Sequence, residues 1–172
     1  MNLSNKNIFI RLSEETDLQA ILSIYCSNLQ LEYGLDNDKL EFCKKELELL
    51  FNSRKSFYNF WVAVDEDINE VVGWQSYFPV FHVPLKQGTS VESSTYISLA
   101  YQHKGVAFIL MKKAISIMGN SGINMIYGFI NSNNNAAIKL VNKIGFIEIG
   151  KLPAIPEIFP YYKEKNIYLY IL

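Results

Sequence analysis

The stretch from Ser94 to Met118 constrains the fold more than any other part of the chain. Ser94–Ala100 has the pattern of a strand, and Gly105–Met118 reads as a helix that is apolar on nearly every side. A turn of a few residues, Gln102-His103-Lys104-Gly105, joins them. A strand that runs straight into an apolar helix requires a sheet on which that helix can pack, and this predicts a chain of the α/β class. The same turn has the physics of an anion site. The first N–H groups of a helix lack partners, and the dipole makes that end positive. Gly105 allows close approach to the main chain, Ala107 is small, and Lys104 adds a cation. A glycine between strand and helix is equally what an ordinary connection contains.

The flanking sequence supplies the rest of a sheet. Ile8–Leu12 reads as a first strand. Thr16 and Gln19 have the spacing of a capping box ahead of Leu18, Ile21, Leu22, Tyr25 and Leu29, which fall on one helical face. A break at Tyr33-Gly34 precedes a more charged helix over Asp38–Phe51. Strand patterns follow at Phe60–Val64 and Val71–Tyr77, joined by the polar hairpin connection Asp65–Glu70. Pro79 and Pro84 bracket a segment unsuited to a central strand. Beyond the apolar helix, Ile123–Ile130 reads as a strand and Asn134–Ile144 as a helix stopped by Gly145. Short strands at Phe146–Ile149 and Asn166–Leu172 complete the chain. This order predicts a mixed sheet with both parallel and antiparallel pairs and helices on its faces, in a single domain over residues 1–172.

Composition narrows the function. The chain has 172 residues, with 16 basic and 17 acidic side chains, so no strong field is available to attract nucleic acid or an anionic membrane. No apolar run approaches the roughly 20 residues of a membrane helix. The opening Met1–Arg11 lacks the basic and apolar regions of a secretory leader, and a cytoplasmic protein is expected. Cys26 and Cys43 sit in helical patterns and read as thiols in a reducing compartment. Two histidines and two cysteines supply a zinc site poorly, and no metal is expected.

Gln102-x-x-Gly105-x-Ala107, opening an apolar helix after a strand, is followed by a second block. That block is Asn134-Asn135-Ala136-Ala137-Ile138 with Lys143-Ile144-Gly145-Phe146. Together they resemble the two central motifs of the GNAT superfamily of acetyl-CoA-dependent N-acetyltransferases. Ile10-Arg11 with Asp17 and Ile21 is similar to that superfamily's first strand and helix, and Val71-Val72-Gly73-Trp74 to its central strand. Val91–Ile97 resembles the strand before the cofactor turn in the phosphinothricin acetyltransferase-like group. His103 stands where that group usually has glycine, Ala137 replaces a common serine, and Val141 replaces a common polar or tyrosine residue. The resemblance implies a GNAT-like, centrally splayed mixed sheet. It also implies acetyl-CoA held by the turn Gln102, His103, Lys104, Gly105, Val106 and Ala107, with Asn134 and Lys143 as further contacts. The pantetheine arm would lie along Ile97, Ser98 and Leu99, where a main-chain N–H would polarise the thioester carbonyl.

Acetyl transfer to an amine needs a base for the ammonium, a donor for the oxyanion and an acid for the thiolate. Glu92, Ser94, Tyr96 and Ser98 alternate along the strand and share one face if it is regular, which suits a cleft wall. Glu92 is the candidate base; the same residue would also serve as a solvated or ion-paired carboxylate. Valine at position 141 cannot donate a proton. Tyr162 or Tyr161 from the closing segment, or Tyr127, are the candidates for the acid. Asn134 is a helix N-cap by residue type, and the resemblance adds a pantetheine contact. The acceptor expected is a primary amine of a small molecule, an amino acid or analogue. Acetylation of a protein N-terminus or lysine, and a catalytically silent acyl-CoA-binding module, are the alternatives. Dimers are common in that superfamily, and the chain is compatible with a homodimer without specifying one.

Overall fold

The computed structural model describes residues 7–54, 58–80, 89–158 and 160–172. In chain order the elements are β1 (Ile8–Leu12), α1 (Leu18–Tyr33), α2 (Asn37–Asn52), β2 (Phe60–Asp65), β3 (Glu70–Pro79), β4 (Ser90–Ile97), α3 (Val106–Met118), β5 (Met125–Asn131), α4 (Asn135–Ile144), β6 (Ile147–Leu152) and β7 (Lys165–Ile171). The strands hydrogen-bond in the order β1-β2-β3-β4-β5-β7-β6, with β4–β5 parallel and the β1–β2, β2–β3, β5–β7 and β7–β6 ladders antiparallel. The class and the mixed sheet are those the sequence predicts. The chain divides into two compact units, Met1–Tyr77 with Thr95–Ala114, and Phe78–Ser94 with Ile115–Leu172. Strand β4 contributes to both. It pairs with β5 through Ser90, Val91 and Glu92.

In the first unit α1 packs by its predicted face, with Ile21, Leu22 and Leu29 buried; Ile24 joins them. An aromatic cluster forms the core beneath. Phe51 meets Phe60 at 5.2 Å, Phe60 meets Trp74 at 5.5 Å, and Trp74 stacks on Tyr96 at 4.8 Å. Each such pair adds about 1 kcal/mol to the burial of its rings. The buried Trp74 indole satisfies its N–H on Ile21 O at 3.1 Å, which fixes α1 to β3. The start of α1 differs from expectation. The capping box is formed by Glu14 and Asp17 around a 3-10 turn at Glu15–Asp17, not by Thr16 and Gln19. The cause is Arg11, which donates to both carboxylate oxygens of Asp17 at 2.6 and 2.9 Å and aims them back at the Glu14 N–H, 2.7 Å away. Helix α2 is capped by Asp36, which accepts from Lys39 N at 3.0 Å.

Three other boundaries shift. Strand β4 spans Ser90–Ile97, not Ser94–Ala100, and Leu99 and Ala100, expected to end it, belong to a 3-10 turn over Leu99–Tyr101. Helix α3 is not buried all round: Lys112, Lys113, Ser116 and Ile117 are exposed, because its apolar positions cover only part of the circumference. Pro79 is the last residue of β3, whereas Pro84 lies outside the described residues. Cys26 and Cys43 are free, half-buried thiols, and burial raises the pKa of each.

The second unit is a three-stranded antiparallel core covered by α4. Ile126 and Tyr168 are buried, Phe146 packs on Tyr170 at 5.1 Å, and Gly145 ends α4 in a left-handed conformation, as predicted. A polar chain runs through it. Ser132 Oγ donates to Asn166 Oδ1 at 2.7 Å, and Asn166 Nδ2 and Tyr168 OH both donate to Glu148 Oε2 at 3.2 Å. Among the described residues, no helix is long and apolar enough to cross a membrane.

Asp17 gives a pH test. Burial pushes its carboxyl up, but the Arg11 hydrogen bonds, the Glu14 N–H and the Arg11 charge outweigh this and hold it below 3.8. Its stabilisation is therefore fully present above the unfolded-state pKa and is lost as pH falls through the lower folded value. Asp17→Asn is expected to lower unfolding stability at pH 7 by about 2 kcal/mol, the scale of charge-assisted bonds. Urea titrations should show that difference shrinking below pH 4, where wild type loses the same contribution.

Candidate active site

The turn after β4 is built from both ends. Ile97 is buried at the end of the strand, and a Cβ at Gly73 would stand 2.5 Å from its Cδ1, so glycine at 73 leaves Ile97 its place. Ser98 leaves the strand, and its N–H donates to Val72 O at 2.9 Å. That N–H is thus committed to β3 and is not available to polarise a bound carbonyl. Ser98 also drops out of the predicted polar face, which comprises Glu92, Ser94 and Tyr96. Leu99 is exposed at the start of the 3-10 turn.

Tyr101 anchors that turn. Its buried hydroxyl donates to Asp65 Oδ2 at 2.6 Å, and the Asp67 N–H donates to Asp65 Oδ1 at 3.1 Å. Asp65 has no exposed surface, so these bonds offset the desolvation of a carboxylate. Asn28 of α1 makes the second anchor. Its Nδ2 donates to Ile24 O at 2.8 Å and Ile97 O at 3.0 Å, and its Oδ1 accepts from Gln102 Nε2 at 3.0 Å. The Gln102 side chain is therefore turned toward Asn28 and Ile97 O and braces the loop.

Beyond Gln102 the chain takes positive φ twice, at His103 (58°) and Gly105 (86°), before α3 begins at Val106. Glycine suits such a conformation, which accounts physically for the glycine usual at the position of His103. The Phe108 and Ile109 N–H groups donate to Gly105 O at 3.1 and 3.3 Å. The N–H groups ahead of them have no intrahelical acceptor, and they form the positive, donor-rich end of a 13-residue helix. Lys104 Nζ lies 5.2 Å from the centre of the Tyr101 ring. Gly105, Val106 and Ala107 with Lys104 thus supply what a phosphate group requires.

The second unit carries the remaining candidates. Glu92 is half-buried on β4 and is the direct cross-strand partner of Tyr127 on β5. Burial raises its carboxyl pKa from 4.5, and Lys165 lowers it by less. Asn134 caps α4, its Oδ1 accepting from Ala137 N at 3.1 Å. Lys143 is exposed in the last turn of the same helix. Val141 is buried core. Tyr162 is half-buried with Lys165 Nζ 5.1 Å from its ring centre. Asn28, Asp65 and Lys165 were not picked out from the sequence. Asn28 alone left a signal there, a carboxamide one turn from Ile24 and Tyr25 on an otherwise apolar helical face.

Residues 18–146, which include β4, the turn, α3 and the α4 motif, match the acetyltransferase (GNAT) family. The chain belongs to that family and is an acetyltransferase. The Bacillus subtilis (strain 168) protein YwnH, assigned as a proposed phosphinothricin acetyltransferase, is 32% identical over 155 residues, covering 86% of this chain and 89% of that protein. The L-methionine sulfoximine/L-methionine sulfone acetyltransferase of Salmonella typhimurium is 25% identical over 151 residues, 85% of this chain and 84% of that one. A crystal structure of a proposed phosphinothricin N-acetyltransferase superposes with a TM-score of 0.80 at 28% identity, covering 96% and 99% of the two chains. The GNAT family uses acetyl-CoA, and complexes with it occur among proteins of this fold.

The positive φ at His103 is testable. Left-handed backbone costs an L-residue about 1–2 kcal/mol, while glycine adds roughly 0.5–1 kcal/mol of unfolded-chain entropy. His103→Gly is therefore expected to raise unfolding stability by about 0.5 kcal/mol in denaturant titration. Destabilisation would show that the imidazole makes contacts worth more than the strain.

Proposed function

We propose that this chain is an N-acetyltransferase that moves the acetyl group of acetyl-CoA to the primary amine of a small amino-acid-like acceptor. The observation that carries the reading is the layout of β4. A half-buried carboxylate with raised pKa, Glu92, stands five residues before Ile97, and the strand then runs into a helix start rich in free donors. The phosphates of the cofactor fit the backbone of Lys104 to Ala107, where glycine and alanine leave room and the helix dipole favours negative charge. Acetyl-CoA supplies a thioester whose carbonyl carbon accepts the amine as the C–S bond breaks.

In this scheme Glu92 takes the proton from the acceptor ammonium, directly or through one water. Its raised pKa serves that task, since a stronger base is better matched to an ammonium near neutral pH. Tyr127, its neighbour across the ladder, joins Tyr162 as a source of a proton for the leaving thiolate. Asn134 and Lys143 are assigned to the cofactor by family likeness. The amino-acid class of acceptor is supported by the substrates named for the Salmonella relative. The same reading takes the enzyme to be cytoplasmic and a single domain over residues 1–172.

Glu92→Gln is expected to lower kcat by about 100-fold or more and to leave acetyl-CoA affinity unchanged by calorimetry. The acid limb of wild-type kcat/KM should fall above pH 4.5 and disappear in the variant. Unchanged turnover would remove Glu92 from the mechanism. Acetyl-CoA binding without thiol release on any amine of a broad panel would point instead to a silent acyl-CoA-binding module.

A further inference from the structure

Strand β6 (Ile147–Leu152) stands last in the sheet order, so one of its edges has no strand beside it. Among the described residues, none of its main-chain groups bonds to backbone outside its ladder with β7. An open row of N–H and C=O groups is a template for a further strand. This edge is also apolar: Ile147 is 55% exposed and Ile149 48%.

The bulge in β6 decides which of its residues share a face. Ile147 pairs with Leu169 and Glu148 with Tyr168, Ile149 is the extra residue, and Gly150, Lys151 and Leu152 pair with Ile167, Asn166 and Lys165. Direct partners lie on the same side of a sheet, and successive residues alternate. Ile147, Gly150 and Leu152 therefore share one face, and Glu148 and Lys151 the other. Turned about a two-fold axis between Ile149 and Gly150, the strand Ile-Glu-Ile-Gly-Lys-Leu meets itself in antiparallel register. Glu148 then stands opposite Lys151, Ile147 opposite Leu152, and Ile149 against Gly150. Both outer pairs match in face only because of the extra residue; without it they would fall on opposite sides.

Gly150 is not required by its own chain. It lacks a left-handed φ, and a Cβ there would meet Ile167 Cδ1 at 3.8 Å, an ordinary contact. Glycine weakens a strand interior and marks places where another backbone comes close. In the self-paired register, Ile149 of a second copy occupies that place. Lys151 is exposed and, among the described residues, enters no ion pair. Asn166 and Tyr168 both donate to Glu148 Oε2, and Oε1 is a further acceptor. A lysine and a bulge can also guard an edge against pairing. A guard, however, calls for no acid at the matching position and no exposed isoleucines beside it.

We infer that β6 is a self-pairing edge, along which two copies of this chain join antiparallel through Ile147–Leu152 with two Glu148–Lys151 ion pairs across the junction. Opposite charges facing each other across an antiparallel pair are favourable, and like charges are unfavourable. A junction of two six-residue strands is small, so the dimer is concentration-dependent, with Kd on the order of 10 µM.

Sedimentation equilibrium of the full chain from about 1 to 200 µM, bracketing that Kd, tests the junction. Wild type is expected to pass from monomer to dimer across this range. Lys151→Glu sets like charges opposite each other twice and should raise Kd by about tenfold or more, whereas Lys151→Arg should leave it unchanged. Gly150→Val crowds Ile149 of the second copy and should raise Kd similarly. Its unfolding stability in denaturant, measured on dilute monomer, should not fall, and Gly150→Ala is the smaller substitution should valine disturb folding. A wild type that stays monomeric throughout, or a dimer that neither Lys151→Glu nor the position-150 variants weaken, overturns the proposal. A response at one of the two positions without the other overturns the paired register.

Discussion

One carboxamide organises the candidate cofactor turn. Asn28 bonds the last carbonyl of β4 and the side chain of Gln102, and through its own helix it is tied to Ile24 O. The strand end, the entry to the turn and α1 are thus locked to one another by a group that can both donate and accept. The Asp65–Tyr101 bond does the same from the β2 side. The two braces hold the chain just ahead of His103, where φ turns positive before α3 begins. A donor-rich helix end binds an anion well only if it is held still, because ordering it on binding would consume the affinity it offers.

The sequence disclosed those parts of the molecule that depend on local pattern. Helix and strand periodicity placed every element within a few residues, and the residue types at Asn134 and Gly145 marked both ends of α4 correctly. Errors arose where a long-range partner overrode the local rule. Arg11 drew the capping box from Thr16 and Gln19 to Glu14 and Asp17, although threonine is the more usual N-cap residue. Leu99 and Ala100 looked like the end of a strand, yet they lie in a 3-10 turn anchored by the Tyr101 hydroxyl on Asp65.

The candidate site was legible in part for the same reason. Backbone chemistry at Gly105 to Ala107 needs small residues at fixed spacing and so leaves a trace. The Gln102 side chain also braces the loop, a task that its position in the motif does not announce.

The polar chain through the second unit bears on how its strands find one another. Tyr168 and Asn166 both address Glu148, and Asn166 also takes the Ser132 hydroxyl. The ladder between β6 and β7 slips by a residue between Glu148 and Gly150. Apolar contacts alone discriminate poorly among neighbouring registers of so exposed a strand, since Ile147 and Ile149 would find grease at several settings. A single acceptor shared by two donors from alternate positions of β7 can be matched at one setting only. Glu148 thus works as a key tooth: it makes the outermost strand choose its alignment by geometry, where hydrophobicity would have left it to chance.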